Sequence, residues 1–173
     1  MPVKRRWLGP ERLWLLSIAL QRRGLRPLAV LVKKANSAIY HNSLPPGAVV
    51  SRDVRFGHHG FGTVIHSNVV IGRRVTIFQN VTIAMRAGGK SPYRIYIEDE
   101  VMIGANAVVI SPHRSDLRIG RGARIGAGVV VSADVPAGCT VVSAPAQLIW
   151  PDGRRGTLTR DADADAVADA DDG

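Results

Sequence analysis

The chain has 173 residues, enough for one domain with a substantial core, and its composition limits the classes of function. The formal net charge is +9, but six acids lie within residues 161–172, so residues 1–160 carry 23 basic and 8 acidic residues, or +15. This basic body favours an anionic partner, but three residues each of Phe, Tyr and Trp are too few for base-stacking surfaces, and we expect no nucleic-acid partner.

Cysteine usage and hydropathy bear on the compartment. Cys139 is the single cysteine, which excludes an intramolecular disulfide and fits a reducing environment. No stretch approaches the roughly 20 apolar residues that span a bilayer. No group of Cys and His has the spacing of a zinc site. We therefore expect a cytoplasmic protein without a metal.

Residues 1–46 are predicted to form a basic N-terminal helical region. Pro10 and Glu11 suit the first turn of a helix over residues 11–23, and a second helix is predicted over residues 27–40. Both helices mix apolar residues with Arg and Lys. This pattern leaves two interpretations open: a cap packed on the rest of the domain, or a peripheral contact with an anionic membrane surface.

A six-residue period dominates the middle of the chain. Isoleucine or valine recurs at every sixth position in three runs: Ile65, Ile71, Ile77, Ile83; Ile97, Ile103, Val109; Ile119, Ile125, Val131. The period is neither helical nor that of a simple strand, so it marks a structural repeat. We predict short strands that each bring one Ile or Val inward, three strands to a coil, and about four coils beginning with Val50 and Phe56 as the first anchors.

Interruptions of the repeat predict projecting loops. Three extra residues fall within residues 57–62, eight within residues 84–96 and four within residues 111–116. Insertions in repeat folds map to surface loops, often on the binding face. A closing extended segment is predicted over residues 140–149, and the Asp/Ala-rich residues 151–173 are predicted to be a disordered acidic tail.

The repeats resemble a known family. Ile71-Gly72, Ile103-Gly104-Ala105, Ile119-Gly120 and Ile125-Gly126-Ala127-Gly128 are similar to the hexapeptide-repeat acyltransferases. This resemblance implies a mainly β fold, a left-handed parallel β-helix over residues 47–150, with acetyl-CoA as co-substrate and a homotrimer as the assembly. Residues 59–65 (HGFGTVI) and 75–83 (VTIFQNVTI) resemble the serine acetyltransferase branch, which includes small O-acetyltransferases of surface-polysaccharide pathways.

The resemblance also assigns candidate catalytic and acceptor-binding residues. Transfer of an acyl group to a hydroxyl needs a base, and neutral histidine is well matched to that task near pH 7. His59 matches the catalytic histidine of the family and is flanked by glycines that allow close backbone approach. His58 stands where serine acetyltransferases carry an aspartate, and Arg94 where they carry a second histidine. We expect both residues to contact the acceptor.

The donor is expected to lie beside the coils. By resemblance, the pantetheine arm of acetyl-CoA passes near Gly104, Ala105 and Ala127, where small side chains leave room. Lys90, in a glycine-rich loop, is expected to meet a phosphate group.

Several functions remain open from the sequence. The leading hypothesis is an O-acetyltransferase acting on a hydroxyl of serine, a sugar or another small molecule, with His59 as general base. A different acyl-CoA donor is a second hypothesis. The departures at residues 58 and 94 motivate a third, a non-catalytic β-helix that serves as a scaffold or a membrane-associated binding protein.

Overall fold

The computed structural model describes residues 9–86 and 91–157, and the chain divides into two compact units, Met1–Val142 and Ser143–Gly173. Both predicted helices are confirmed: α1 spans Pro10–Arg22 and α2 spans Arg26–Tyr40. They pack against each other across a turn in which Gly24 has φ +79°. Within the described residues, neither helix is long and apolar enough to cross a membrane.

The repeat forms three parallel sheets that wrap around a common core. Sheet 1 contains β1 (Val49–Val50), β4 (Val69–Ile71), β7 (Ile95–Ile97) and β10 (Leu117–Ile119). Sheet 2 contains β2 (Arg55–Phe56), β5 (Thr76–Ile77), β8 (Met102–Ile103), β11 (Arg124–Ile125) and β13 (Thr140–Val141). Sheet 3 contains β3 (Val64–Ile65), β6 (Thr82–Ala84), β9 (Val108–Ile110) and β12 (Val130–Val131). The chain visits the sheets in turn, which confirms a parallel β-helix of about four coils.

The core differs from the prediction in one respect. Each repeat buries two residues rather than one, as in the pairs Val75 and Ile77 or Val101 and Ile103, all of them fully buried. Residues two apart on an extended segment point to the same side, so the residue two places before each anchor also faces the core. The interior therefore holds two stacked columns of mostly β-branched side chains for each of the three sheets.

The first coil is less buried than the coils that follow it. Val50 and Phe56 pair in register with the anchors Ile71 and Ile77 and pack against the core as predicted, but they are only half-buried, whereas Ala48 and Val54 are fully buried. Helix α1 packs there, because Trp14 is buried with its ring centroid 5.9 Å from that of Phe56 and its Nε1 donates to the Pro45 carbonyl at 2.8 Å. The helices thus cap the first coil.

The second unit contains an antiparallel hairpin that the sequence did not predict. β14 (Gln147–Ile149) pairs with β15 (Arg155–Thr157). Residues 151–157, assigned above to the disordered tail, form the turn and second strand of this hairpin instead. The rest of the predicted tail and the loop with Lys90 lie outside the described residues.

Candidate active site

The connections between sheets stack from coil to coil into three edges. The 2–3 edge joins sheet 2 to sheet 3 through residues 57–63, 78–81, 104–107 and 126–129. The 3–1 edge joins sheet 3 to sheet 1 through residues 66–68, 85–94 and 111–116. The 1–2 edge joins sheet 1 to sheet 2 through residues 51–54, 72–75, 98–101 and 120–123. Each insertion predicted from the sequence lies on the 2–3 or the 3–1 edge.

His59 lies on the 2–3 edge in a turn with unusual backbone geometry. The extra residues form a tight turn, Gly57–Gly60, in which His58 has φ +47° and His59 has φ +60°. A non-glycine residue in this left-handed region costs about 1–2 kcal/mol relative to a right-handed one. Strain of this kind concentrates at functional sites. Positive φ also occurs at six other non-glycine residues, among them Asn80 and Asn106 on the same edge, so this conformation belongs to the turns of the repeat; among the described non-glycine residues, His58 and His59 are the pair that adopts it in succession.

The turn is held against the next coil by close packing. A Cβ added to Gly57 would lie 2.5 Å from the Phe78 ring. Glycine at this position therefore allows the turn to pack directly against the Phe78 side chain. The Thr63 N–H donates to the Gly60 carbonyl at 3.1 Å, and the Asn80 N–H donates to the Phe61 carbonyl at 2.7 Å. The backbone around both histidines is therefore anchored on each side.

Aromatic rings surround the half-buried His59. The Tyr40 ring stacks on it with centroids 5.9 Å apart, and the Phe61 ring meets it edge-on at 6.1 Å. Tyr40 is the last residue of α2, so the C-terminal end of this helix positions the imidazole. His58 is exposed, with its ring centroid 6.4 Å from that of Phe78.

A cleft of about 200 Å³ opens beside the two histidines and is shared with α1. Its lining residues are Gly9, Pro10, Glu11, Arg12, Phe56, His58 and His59. The Glu11 Oε1 accepts a hydrogen bond from the Phe56 N–H at 2.9 Å, which holds the carboxylate at the cleft. Glu11 and Arg12 are not predicted as site residues by the sequence, because Glu11 fits the first turn of a helix and no local pattern links either residue to His59.

The residues predicted to line the donor groove lie on the same edge as His59. Gly104 and Ala105 follow β8, and Ala127 follows β11 in the next coil. The Gly104 N–H donates to the Ile125 carbonyl and the Gly128 N–H to the Ala105 carbonyl, each at 2.8 Å. A Cβ on Gly104 would lie 2.7 Å from the Ala127 nitrogen, so the two coils approach closely there. In the last two coils this edge consists mostly of glycine and alanine, whereas the connection next to the His59 turn carries Phe78, Gln79 and Asn80.

Arg94 lies on a different edge from His59. It is exposed on the 3–1 edge just before β7, where its N–H donates to Asp116 Oδ1 at 2.8 Å and its carbonyl accepts from the Leu117 N–H at 3.0 Å. One chain therefore does not bring Arg94 to the connection that carries His59. Lys90 precedes it in the loop outside the described residues.

The 1–2 edge is occupied by ion pairs. Glu98 pairs with Arg118 at 2.8 Å, Asp99 with Arg73 at 3.6 Å, and Glu100 with Arg74. Hydrogen bonds from the Arg118 side chain and the Arg121 backbone hold the pKa of Glu98 below its usual value. Across the described residues, no group of three or more His, Cys, Asp or Glu is arranged to hold a metal ion.

Comparisons with known proteins agree with this architecture. No protein-family model matches the chain. The serine acetyltransferase of Bacillus subtilis (strain 168) is 33% identical over 149 residues, which cover 85% of this chain and 66% of that protein. The Neisseria gonorrhoeae serine acetyltransferase in complex with serine superposes with a TM-score of 0.69 at 32% identity, over 80% of this chain and 55% of that one.

A third relative was solved with coenzyme A. This serine acetyltransferase, from Brucella abortus strain S19, superposes with a TM-score of 0.68 at 26% identity, over 85% of this chain and 56% of that one. The chain thus spans between 55% and 66% of the length of these three relatives. From its repeats, its parallel β-helix and these similarities, we conclude that the chain belongs to the hexapeptide-repeat acyltransferases and is similar to their serine acetyltransferase branch.

Proposed function

We propose that this chain is an acetyl-CoA-dependent O-acetyltransferase that acetylates a hydroxyl group of serine, a sugar or another small molecule. One observation carries the proposal: His59 stands on the same edge of the β-helix as Gly104, Ala105 and Ala127. The base and the groove expected for the donor are then neighbours. Relatives named serine acetyltransferase, one of them solved with coenzyme A, support this assignment.

The 2–3 edge fits an extended thioester donor. Gly104 and Ala105 are half-buried, Ala127 is exposed, and a Cβ on Gly128 would meet nothing within 4 Å. These residues leave a strip of accessible backbone along two coils that a pantetheine arm can follow. Lys90 remains the predicted phosphate contact.

The residues of the turn supply the acid–base chemistry. Acetyl-CoA contributes the acetyl group as a thioester. The His59 imidazole takes the proton of the acceptor hydroxyl as its oxygen bonds to the carbonyl carbon, and returns that proton to the sulfur as the carbon–sulfur bond breaks. Backbone N–H groups of the edge stabilise the negative charge that develops on the carbonyl oxygen. The ring contacts of Tyr40 and Phe61 hold the imidazole in place for both transfers.

The cleft beside the turn is proposed to bind the acceptor. Glu11 supplies a carboxylate to accept hydrogen bonds from hydroxyl or amino groups, and Arg12 and His58 supply donors. Serine acetyltransferases carry an aspartate before the catalytic histidine, and this chain carries His58 there. Glu11, which lies outside the repeat, would supply the carboxylate instead.

We further propose that the protein is a homotrimer built on the outer face of sheet 3. That face carries no charged residue in its strands; its outward side chains are Val64, Thr82, Ala84, Val108, Ile110 and Val130. Sheets 1 and 2, in contrast, present Arg118, Arg55 and Arg124. An uncharged sheet face of this kind favours burial against a second copy of the chain.

In such a trimer, the position of sheet 3 would bring His59 of one copy and Arg94 of another to a single site. The 2–3 edge with His59 borders one side of this sheet, and the 3–1 edge with Arg94 borders the other. If sheet 3 of each copy faces a threefold axis, the 2–3 edge of one copy meets the 3–1 edge of its neighbour. Arg94 of the neighbouring copy would then approach His59 and bind an anionic or hydrogen-bonding group of the acceptor.

Replacing His59 tests the general base. For His59→Ala we expect kcat/KM to fall about 10²- to 10⁴-fold in a thiol-release assay with acetyl-CoA and serine or sugar acceptors, because proton transfer contributes that much to catalysis. Coenzyme A affinity, measured by calorimetry, should not change. Glu100→Ala, at an exposed residue of the 1–2 edge, is the control. Equal turnover of variant and native protein excludes His59 as the base, and no turnover by the native chain with any acceptor favours the scaffold hypothesis.

Glu11→Gln tests the acceptor cleft. The amide oxygen can still accept from the Phe56 N–H, so α1 stays in place while the charge is lost. We expect the KM for the acceptor to rise about tenfold, the worth of one charge-assisted hydrogen bond, with the KM for acetyl-CoA unchanged. Glu100→Gln on the 1–2 edge is the matched control. A lower kcat with an unchanged acceptor KM would contradict a binding role.

Val130→Glu tests the trimer. Val130 is 67% exposed in the single chain, so the substitution leaves the core intact but places a charge in the proposed interface. By light scattering, we expect native particles of three times 18.6 kDa and variant particles of 18.6 kDa, with activity lost in parallel. Val49→Glu makes the same change on sheet 1 and should leave the trimer intact. A native monomer, or a trimer that tolerates Val130→Glu, would contradict the interface.

A further inference from the structure

Helix α2 presents an apolar face that no described element covers. Its buried residues, Ala29 and Asn36, lie on the side that faces α1. About 105° around the helix from these two residues, Leu28, Leu31, Ala35 and Ile39 are exposed. Their spacings of three, four and four match the helical repeat of about 3.6 residues, so they form one stripe, here called the α2 stripe.

The side chains of the α2 stripe are apolar but strongly exposed. Leu28 is 49% exposed, Leu31 62% and Ile39 54%. Isolated apolar residues on a surface need no explanation, but a continuous stripe along a helix indicates a surface that is covered in use. The stripe continues at the helix start, where Leu25 is also exposed.

Positive charge lies near the stripe. Lys34 is exposed on α2 about 60° around the helix from Leu31, and Arg22, Arg23 and Arg26 are exposed at the turn that leads from α1 into α2. Residues 9–41 contain six Lys and Arg and one acid, Glu11, whose carboxylate is held at the Phe56 N–H and not beside the stripe. The surface around the stripe is therefore cationic.

We propose that the α2 stripe binds an anionic membrane surface, with α2 lying in the plane of the interface. Leucine and isoleucine side chains would enter the headgroup–acyl boundary, and the flanking arginines and lysines would meet lipid phosphates. Each Lys or Arg near such a surface adds about 1 kcal/mol of attraction. The stripe and its charged border together match this partner, because a soluble anion would satisfy only the charges.

A second copy of the chain matches the stripe less well. Pairing two α2 stripes across a twofold axis would bring the cationic borders together without an acidic residue to compensate them, and like charges in an interface are costly. An anionic bilayer removes this repulsion and buries the same apolar residues. The inference does not rest on the proposed acetyl transfer.

Vesicle co-sedimentation of the whole chain tests the proposal. We expect binding to phosphatidylcholine vesicles with about 30% phosphatidylglycerol to be at least about tenfold tighter than to pure phosphatidylcholine, and to weaken with added salt. Leu31→Glu, and separately Lys34→Glu, should each reduce the binding about tenfold or more. Ile149→Glu is the control for Leu31→Glu, because it replaces an apolar residue that is 68% exposed in the second unit. This variant should bind vesicles like the native chain. Arg124→Glu, on sheet 2, is the charge control.

Circular dichroism of each variant checks that it is folded, as expected because Leu31 is exposed.

The outcomes distinguish an anionic membrane from a second copy of the chain as the partner of the α2 stripe. Equal binding to both kinds of vesicle, or equal loss in Ile149→Glu, overturns the proposal. It is also overturned if the native chain binds no vesicles and Leu31→Glu instead halves the particle mass in light scattering, because the stripe would then join copies of the chain.

Discussion

Burial of stacked columns of mostly β-branched side chains, two columns for each of the three sheets, is the interaction on which the rest of this structure depends. Each six-residue step contributes an inward pair such as Val75 and Ile77, and the pair of one coil packs on the pairs of the next. Burying side chains of this size stabilises the fold by about 1.5–3 kcal/mol each. A slip of one residue would turn the columns outward, so the register of every strand is strongly specified.

That register determines where function can reside. Because strands are held in line from coil to coil, the connections are also held in line, and each edge becomes a continuous surface. Ion pairs occupy the 1–2 edge, and small residues together with the strained turn of His58 and His59 occupy the 2–3 edge. The 3–1 edge carries the insertion with Arg94. The repeat therefore builds three continuous edges, and its interruptions place His59 on one of them and Arg94 on another.

The sequence predicts local periodicity well and long-range neighbours poorly. The six-residue period was enough to predict the coils, because it reflects the contact of each coil with the next. The period did not predict the second inward residue of each repeat, because Val69, Val75 and Val81 look like ordinary strand residues beside the isoleucines. The family motif singled out His59, but no local pattern indicates that Tyr40 stacks on it or that Glu11 shares its cleft.

For the same reason, the sequence does not predict the edge on which Arg94 lies or which of the two interpretations of the helices is correct. Alignment to the family motif predicts Arg94 as a site residue, but the edge on which a connection falls depends on the sheet that precedes it, and this appears only when the coils are built. In the helices, the mixture of apolar and basic residues left two interpretations open. The structure supports the cap, since α1 covers the first coil, and leaves α2 with an outward face that suits a second contact.

The most direct measurement of the central claim is a crystal structure of the protein with coenzyme A. We expect the pantetheine arm to run along the 2–3 edge past Gly104, Ala105 and Ala127. Its sulfur should lie within about 5 Å of the His59 ring, close enough for proton transfer directly or through one water. Coenzyme A bound on the 1–2 edge, or with its sulfur remote from His59, would contradict the claim that one edge of the β-helix holds both the donor and the base.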